Sequence, residues 1–201
     1  MIYESILIRE DQYIKLELYN KYKNMTTNVF KVSSTKENVV YPPNQVFMKS
    51  DFQYMVTKGG GLIDDVGYLK LMDYLRKLGE KEFYILENMG ANVADREIPF
   101  YSKISVSSTL PDFNNIINQF DPIFGLIPYH FFIYGQNDSW GIYLCECPTM
   151  NIIGCKEYLV QDFSVIFSIR GNGFDDQKDF ISLEYQNNPE LIHTLIKNYN
   201  L

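Results

Sequence analysis

The sequence predicts an α+β protein in which an antiparallel-rich sheet carries helices packed on one face. The first observation behind this is a mixture of periods. Apolar stripes at helical spacing are interspersed with short strand-like runs, without the strict strand–helix alternation of a parallel sheet. The second is the segment 127–155, IPYHFFIYGQNDSWGIYLCECPTMNIIGC, where apolar runs follow one another across turns too short for a crossover helix. The third is bulk. With 46% hydrophobic and 21% charged residues, a chain of 201 residues can bury a real core as one domain.

Taken in order, residues 24–43 are the most irregular and end in Pro42-Pro43, which suits neither a helix interior nor a central strand. We therefore expect a single α+β domain over 1–201, with 1–43 as a candidate distinct N-terminal subregion. Leu62, Val66, Leu69, Met72, Leu75 and Leu78 form a helical stripe that Gly79 closes as a C-cap. Residues 82–87 (EFYILE) read as a strand. In 98–106, Ile98, Phe100, Ile104 and Val106 alternate with Pro99, Tyr101, Lys103 and Ser105, as in a second strand. Thr109 and Asp112 resemble a capping box ahead of a helix with Phe113, Ile116, Ile117 and Phe120, which Asp121-Pro122 ends.

Tyr129–Tyr134 reads as a central strand, residues 135–139 as a turn, Trp140–Cys147 as its hairpin partner and Asn151–Cys155 as a third strand. A helix with Leu159, Phe163, Ile166 and Phe167 follows. Another spans 175–187, with Phe180, Ile181 and Tyr185. The last opens with Asn188 as N-cap and Pro189 at its first position, then carries Leu191, Ile192, Leu195, Ile196 and Tyr199.

A net charge of −7 with no run of Lys or Arg argues against a nucleic-acid backbone as partner and suits a basic protein instead. No apolar stretch approaches the roughly 18 residues of a membrane span. The start, MIYESILIRE, breaks its apolar run with Glu4 and lacks a basic n-region, so no export signal is expected. Three cysteines without secretory context read as reduced thiols, and the expected location is cytoplasmic.

The residues that could carry chemistry are concentrated in 127–155: Cys145, Cys147, Cys155, His130 and the single Trp140. A thiol- or metal-dependent enzyme would use the three cysteines and His130. Cys145 and Cys147 are one residue apart, which places both sulfurs on one face of a strand rather than around an ion. Glu146 lies between them, where it opposes a low thiol pKa. Packed thiols are the simpler expectation. The run Lys58-Gly59-Gly60-Gly61 lacks the Lys-Ser/Thr of a phosphate loop, and Asp64-Asp65 occupy the helix start after it, where they would repel a phosphate and suit the helix dipole. Asp175, Asp176 and Asp179 read as acids opening a helix rather than a cation loop. Glu97 with Glu146, or Asp95 with Asp138, would be carboxylate pairs that nothing in the sequence brings together. We expect no catalytic residue, no metal and no cofactor.

A recognition surface is the remaining candidate. Aromatics make up 15% of the chain, including 16 Tyr. Asp138, Trp140, Tyr143 and Tyr134 place acidic and aromatic groups around the turn 136–139, the make-up of a protein-binding patch. Trp140 as a core anchor is the competing reading.

The residues Ile127-Pro128, the strand FFIYG, the polar turn, Ser139-Trp140-Gly141-Ile142-Tyr143-Leu144 and a following helix with Phe163 and Phe167 resemble bacterial immunity proteins, most nearly the SUKH superfamily. The resemblance covers about residues 120–170. It implies a small α+β domain that neutralises a toxin, often a nuclease, by binding it. The expected function is therefore non-catalytic sequestration of a basic protein partner. The alternatives are the thiol or metal enzyme above and a structural or regulatory domain.

Overall fold

The computed structural model describes residues 17, 20–32, 39–88, 100–118, 130–146 and 148–201. Its strands are β1 (Phe52–Lys58), β2 (Glu82–Glu87), β3 (Tyr101–Ser105), β4 (Phe131–Gly135), β5 (Trp140–Cys145) and β6 (Met150–Lys156). They form one sheet in the order β1-β6-β5-β4-β2-β3, with every neighbouring pair antiparallel. The α+β class follows directly. The hairpin of β4 and β5 and the adjoining β6 lie where the sequence puts them. The ends of those expected strands at Tyr129 and Cys147 fall outside the described residues, as do Ile98 and Pro99 of the expected 98–106 strand.

The helices are α1 (described over 20–26), α2 (Asp65–Lys77), α3 (Leu110–Asn118), α4 (Val160–Ile166, entered through a short 3-10 turn), α5 (Phe174–Glu184) and α6 (Glu190–Tyr199). They cover both faces of the sheet, which corrects the expectation of one covered face. β4 and β5 are buried at every position. A strand with apolar groups on both sides of its pleat needs a layer against each. On one face Phe83, Ile133, Trp140 and Ile153 meet α2, α3 and α4. On the other Tyr84, Phe132, Tyr143 and Ile152 meet α5, α6 and the N-terminal residues Tyr22, Phe30 and Phe47.

Residues 20–32 and 39–48 are thereby built into the second layer. Phe30 and Phe47 form an antiparallel bridge, their ring centroids 4.7 Å apart. The two rings sit over Gly141 and Gly154, which face each other across β5 and β6. A Cβ on Gly141 would come 2.6 Å from Phe30 Cζ, and one on Gly154 2.7 Å from Phe47 Cε1. The paired glycines are therefore a seat for aromatic rings, not a source of flexibility. The Pro42-Pro43 bond is cis.

Helix starts follow the sequence closely. Asp64 Oδ1 accepts from Gly67 N at 2.7 Å and caps α2. Thr109 and Asp112 cap α3 reciprocally, with Thr109 N donating to Asp112 Oδ2 at 2.9 Å and Asp112 N to Thr109 Oγ1 at 3.3 Å. The expected stop at Phe120 and Asp121-Pro122 lies outside the described residues. The cap of α6 is Pro189, one residue beyond the expected Asn188. The buried side of α2 is Tyr68, Leu71, Met72 and Leu75, while Val66 and Leu69 are exposed. Of the expected stripe, Leu62, Met72 and Leu75 are buried, while Tyr68 and Leu71 take the inward places expected for Val66 and Leu69. Tyr68 turns inward because its hydroxyl meets Ser108 Oγ at 2.8 Å. No helix among the described residues is long and apolar enough to cross a membrane.

Candidate binding surface

The hairpin turn between β4 and β5 is organised by Glu80, a buried carboxylate just ahead of β2. It accepts from Gln136 N at 2.8 Å, Asn137 N at 3.1 Å and the Trp140 indole N–H at 3.3 Å. Trp140 is 0% exposed and packs on Phe163. Tyr134 is interior too, its hydroxyl donating to Tyr22 O at 2.7 Å. Tyr143 is 0% exposed. Of the residues expected to meet a partner, Trp140, Tyr143 and Tyr134 are thus core groups. Asp138 alone is exposed, and Lys49 Nζ lies 3.6 Å from its carboxylate. The physical reason is strand position: β4 and β5 are central, so their aromatic side chains fill the two layers.

His130 lies just before β4 and is nearly buried. Asn88 Nδ2 donates to both Val40 O and the Tyr143 hydroxyl, at 2.9 Å each. Tyr143 is then left to donate its own proton to His130 Nδ1, 3.0 Å away. That bond needs a neutral ring protonated on Nε2. Burial agrees, holding the imidazole down at about 4.

The sheet separates the thiols. Cys145 points into the layer with Tyr143, and Cys155 into the layer with Trp140. Burial pushes the Cys155 thiol up to about 12, the opposite of an activated nucleophile. Cys147 lies outside the described residues. Cys155 and His130 therefore cannot share one site. No cluster of three potential metal ligands occurs among the described residues.

Gly59, Gly60 and Gly61 form a loop whose carbonyls are pinned by a buried amide. Asn151 Nδ2 donates to Gly61 O at 2.7 Å and Lys58 O at 3.2 Å. Carbonyls thus converge there rather than N–H groups, and Asp64 caps the next helix. Asp175 and Asp176 open α5, with Asp176 3.4 Å from Arg170. The carboxylate beside Glu146 is Glu184, which Thr149 N holds at 2.6 Å. Burial first and Glu184 second raise the Glu146 pKa. Glu97 and Asp95 lie outside the described residues.

The feature that sequence reasoning missed lies along β1, an edge strand. Val56 N donates outward to Asn172 O at 2.8 Å, away from β6. Antiparallel alternation directs the N–H and C=O of Tyr54 and Phe52 to that same outer side. There the edge opens into a groove of about 730 Å³. Glu157, Val160 and Gln161 wall it from one layer, Tyr199 and Asn200 from the other, and Gly171-Asn172 close one end. Carboxamides dominate its polar lining: Gln53, Gln161, Asn172 and Asn200. Among the described residues, Glu157 is the one charged side chain lining it. The sequence signal was FQYMVTK ending at a glycine run, a strand with apolar groups on both sides of its pleat. No family model, curated protein or solved structure matches this chain.

Proposed function

We propose that this protein is a non-catalytic binding protein that sequesters a basic protein partner, as a bacterial immunity protein sequesters its toxin. One observation supports this reading above the others. The open concavity at the sheet edge is lined by main chain, carboxamides, hydroxyls, apolar side chains and one acid, while Cys145, Cys155 and His130 are locked in the interior. A surface of that make-up can hydrogen-bond a protein, and no thiol or imidazole is among its described lining residues. The charge of −7 adds long-range attraction for a cation-rich partner. A cytoplasmic location goes with the reading, since the partner would be met before it does damage.

The test is stoichiometric. The protein encoded by the adjacent reading frame is titrated by calorimetry at low and physiological salt, and its toxicity is measured with and without co-expression. The expected result is equimolar binding that weakens with salt and abolishes toxicity. Absence of binding, or inactivation of the partner by substoichiometric amounts, refutes sequestration.

A further inference from the structure

We infer that the β1 edge groove takes an extended segment of a basic partner protein by strand addition, extending the sheet to a seventh strand. The inference rests on the binding reading above and specifies where and how the contact is made.

The main chain carries the argument. Tyr54 and Phe52 present their outward N–H and C=O groups to the groove, and no described residue pairs with them. The neighbouring position shows what those groups do when met: Val56 N takes Asn172 O at 2.8 Å. Between Phe52 and Met55 the open length is about 13 Å at ~3.3 Å per residue, room for a short strand. An added strand alternates its side chains between the two walls. One wall is the α4 entrance at Val160 and Gln161, the other the end of α6 at Tyr199 and Asn200.

The contrast with the opposite edge sharpens this. β3 carries Lys103 at its exposed centre, held 2.9 Å from Glu82. A charge of that kind discourages edge pairing. β1 has no charged residue from Phe52 to Thr57. It is guarded by walls instead of by charge, so access is selective rather than blocked.

Charge fixes the chemistry of the occupant. Glu157 lines the groove, and no basic side chain is among its described lining residues; Asp51, just before β1, is paired with Lys156 at 3.9 Å. A Lys or Arg side chain of the segment would face Glu157, with apolar or β-branched residues on either side of it. The rim carboxamides can donate to and accept from peptide groups, whatever the segment's direction. This is main-chain recognition with side-chain selection, as in other strand-addition modes.

The probe is a pool of acetylated heptapeptides alternating Lys with Val, Ile, Thr or Tyr, titrated to millimolar concentration into the isotope-labelled protein. Amide shifts and hydrogen exchange are followed by NMR. The expected result is shifts confined to Phe52–Met55, Gln161 and Asn172, with the Tyr54 amide slowed in exchange. N-methylation of the alternate peptide nitrogens that face β1 should weaken binding by at least about tenfold. Tyr54→Pro removes the outward N–H while leaving the β6 ladder intact and should abolish the shifts. Gln161→Trp fills the groove from α4 without touching the sheet and should do the same, even if Tyr54→Pro fails to fold. Absence of shifts, shifts elsewhere, or binding indifferent to N-methylation overturns the inference. So does concentration-dependent protection of Tyr54 without peptide, which would make a second copy the occupant. Failure here with tight, salt-sensitive binding of the whole partner sinks the strand-addition mode and leaves sequestration standing. Peptide binding without any whole partner does the reverse.

Discussion

Replacing Glu80 with alanine should loosen the β4–β5 turn and cost about 3 kcal/mol of stability. The carboxylate is 3% exposed and accepts from Gln136 N, Asn137 N and Trp140 Nε1 at 2.8, 3.1 and 3.3 Å. The three bonds are not equal in what their loss exposes. Gln136 and Asn137 are at the surface, so water can replace the acceptor at modest cost. Trp140 is 0% exposed, so its indole N–H would be left without a partner, at roughly 1–3 kcal/mol. Turn loosening and lost packing supply the remainder. Glu80→Gln keeps one carbonyl acceptor but turns an NH₂ group toward a donor, so about half that loss is expected. Urea unfolding followed by fluorescence measures both, because Trp140 is the only tryptophan and sits at the turn. The native emission of Glu80→Ala should also shift to the red as water reaches the indole. A change below about 0.5 kcal/mol with an unaltered m-value would refute the clamp.

The remaining predictions concern the sheet interior. His130 is held down at about 4, while its unfolded value is near 6.5, so the unfolded chain takes up the proton first as pH falls. Its contribution is complete above pH 6.5 and is lost as pH drops toward 4, by roughly 3 kcal/mol in all. His130→Gln should flatten the stability-versus-pH curve in that window relative to wild type; parallel curves would contradict it. Gly141→Ala and Gly154→Ala should each cost about 1–3 kcal/mol through overpacking against Phe30 and Phe47, read from the urea midpoint, and a neutral result would mean that the rings yield freely. Cys155 should resist alkylation at pH 8 until urea unfolds the protein, as mapped by mass spectrometry; labelling of the native state would overturn its burial.

What was legible in the sequence was local. Thr109 with Asp112, Asp64 before its helix, and the hairpin around 135–139 each announce themselves through a few adjacent residues, and each forms as those residues dictate. The layering was not legible, because it depends on which faces of a strand meet something. FFIYG and WGIYLC are apolar at every position, and a run of that kind looks the same whether one face or two are covered. β1 was hidden for a related reason. Phe52 and Val56 enter one layer and Met55 the other, so FQYMVTK shows no alternation. The inward turn of Tyr68 in place of Val66 and Leu69 was hidden because its polar end counts against burial until Ser108 satisfies it.

The same physics explains why the chemically rare residues misdirect a search for function here. Trp140, Cys145, Cys155 and His130 are large or soft groups on or next to central strands, and a strand buried on both faces recruits such groups to fill space. Covering both faces removes the sheet surface as a place to bind anything. The main-chain groups that face outward then lie at the edges. One edge bears Lys103; the other, β1, is walled and uncharged from Phe52 to Thr57. A binding site built there needs only ordinary residues, a glutamine, an asparagine and a tyrosine's backbone. The backbone supplies the bonds and the walls supply selection. It follows that substitutions at Gln161 should separate binding from stability, whereas substitutions at Trp140 or Tyr143 should always change the two together.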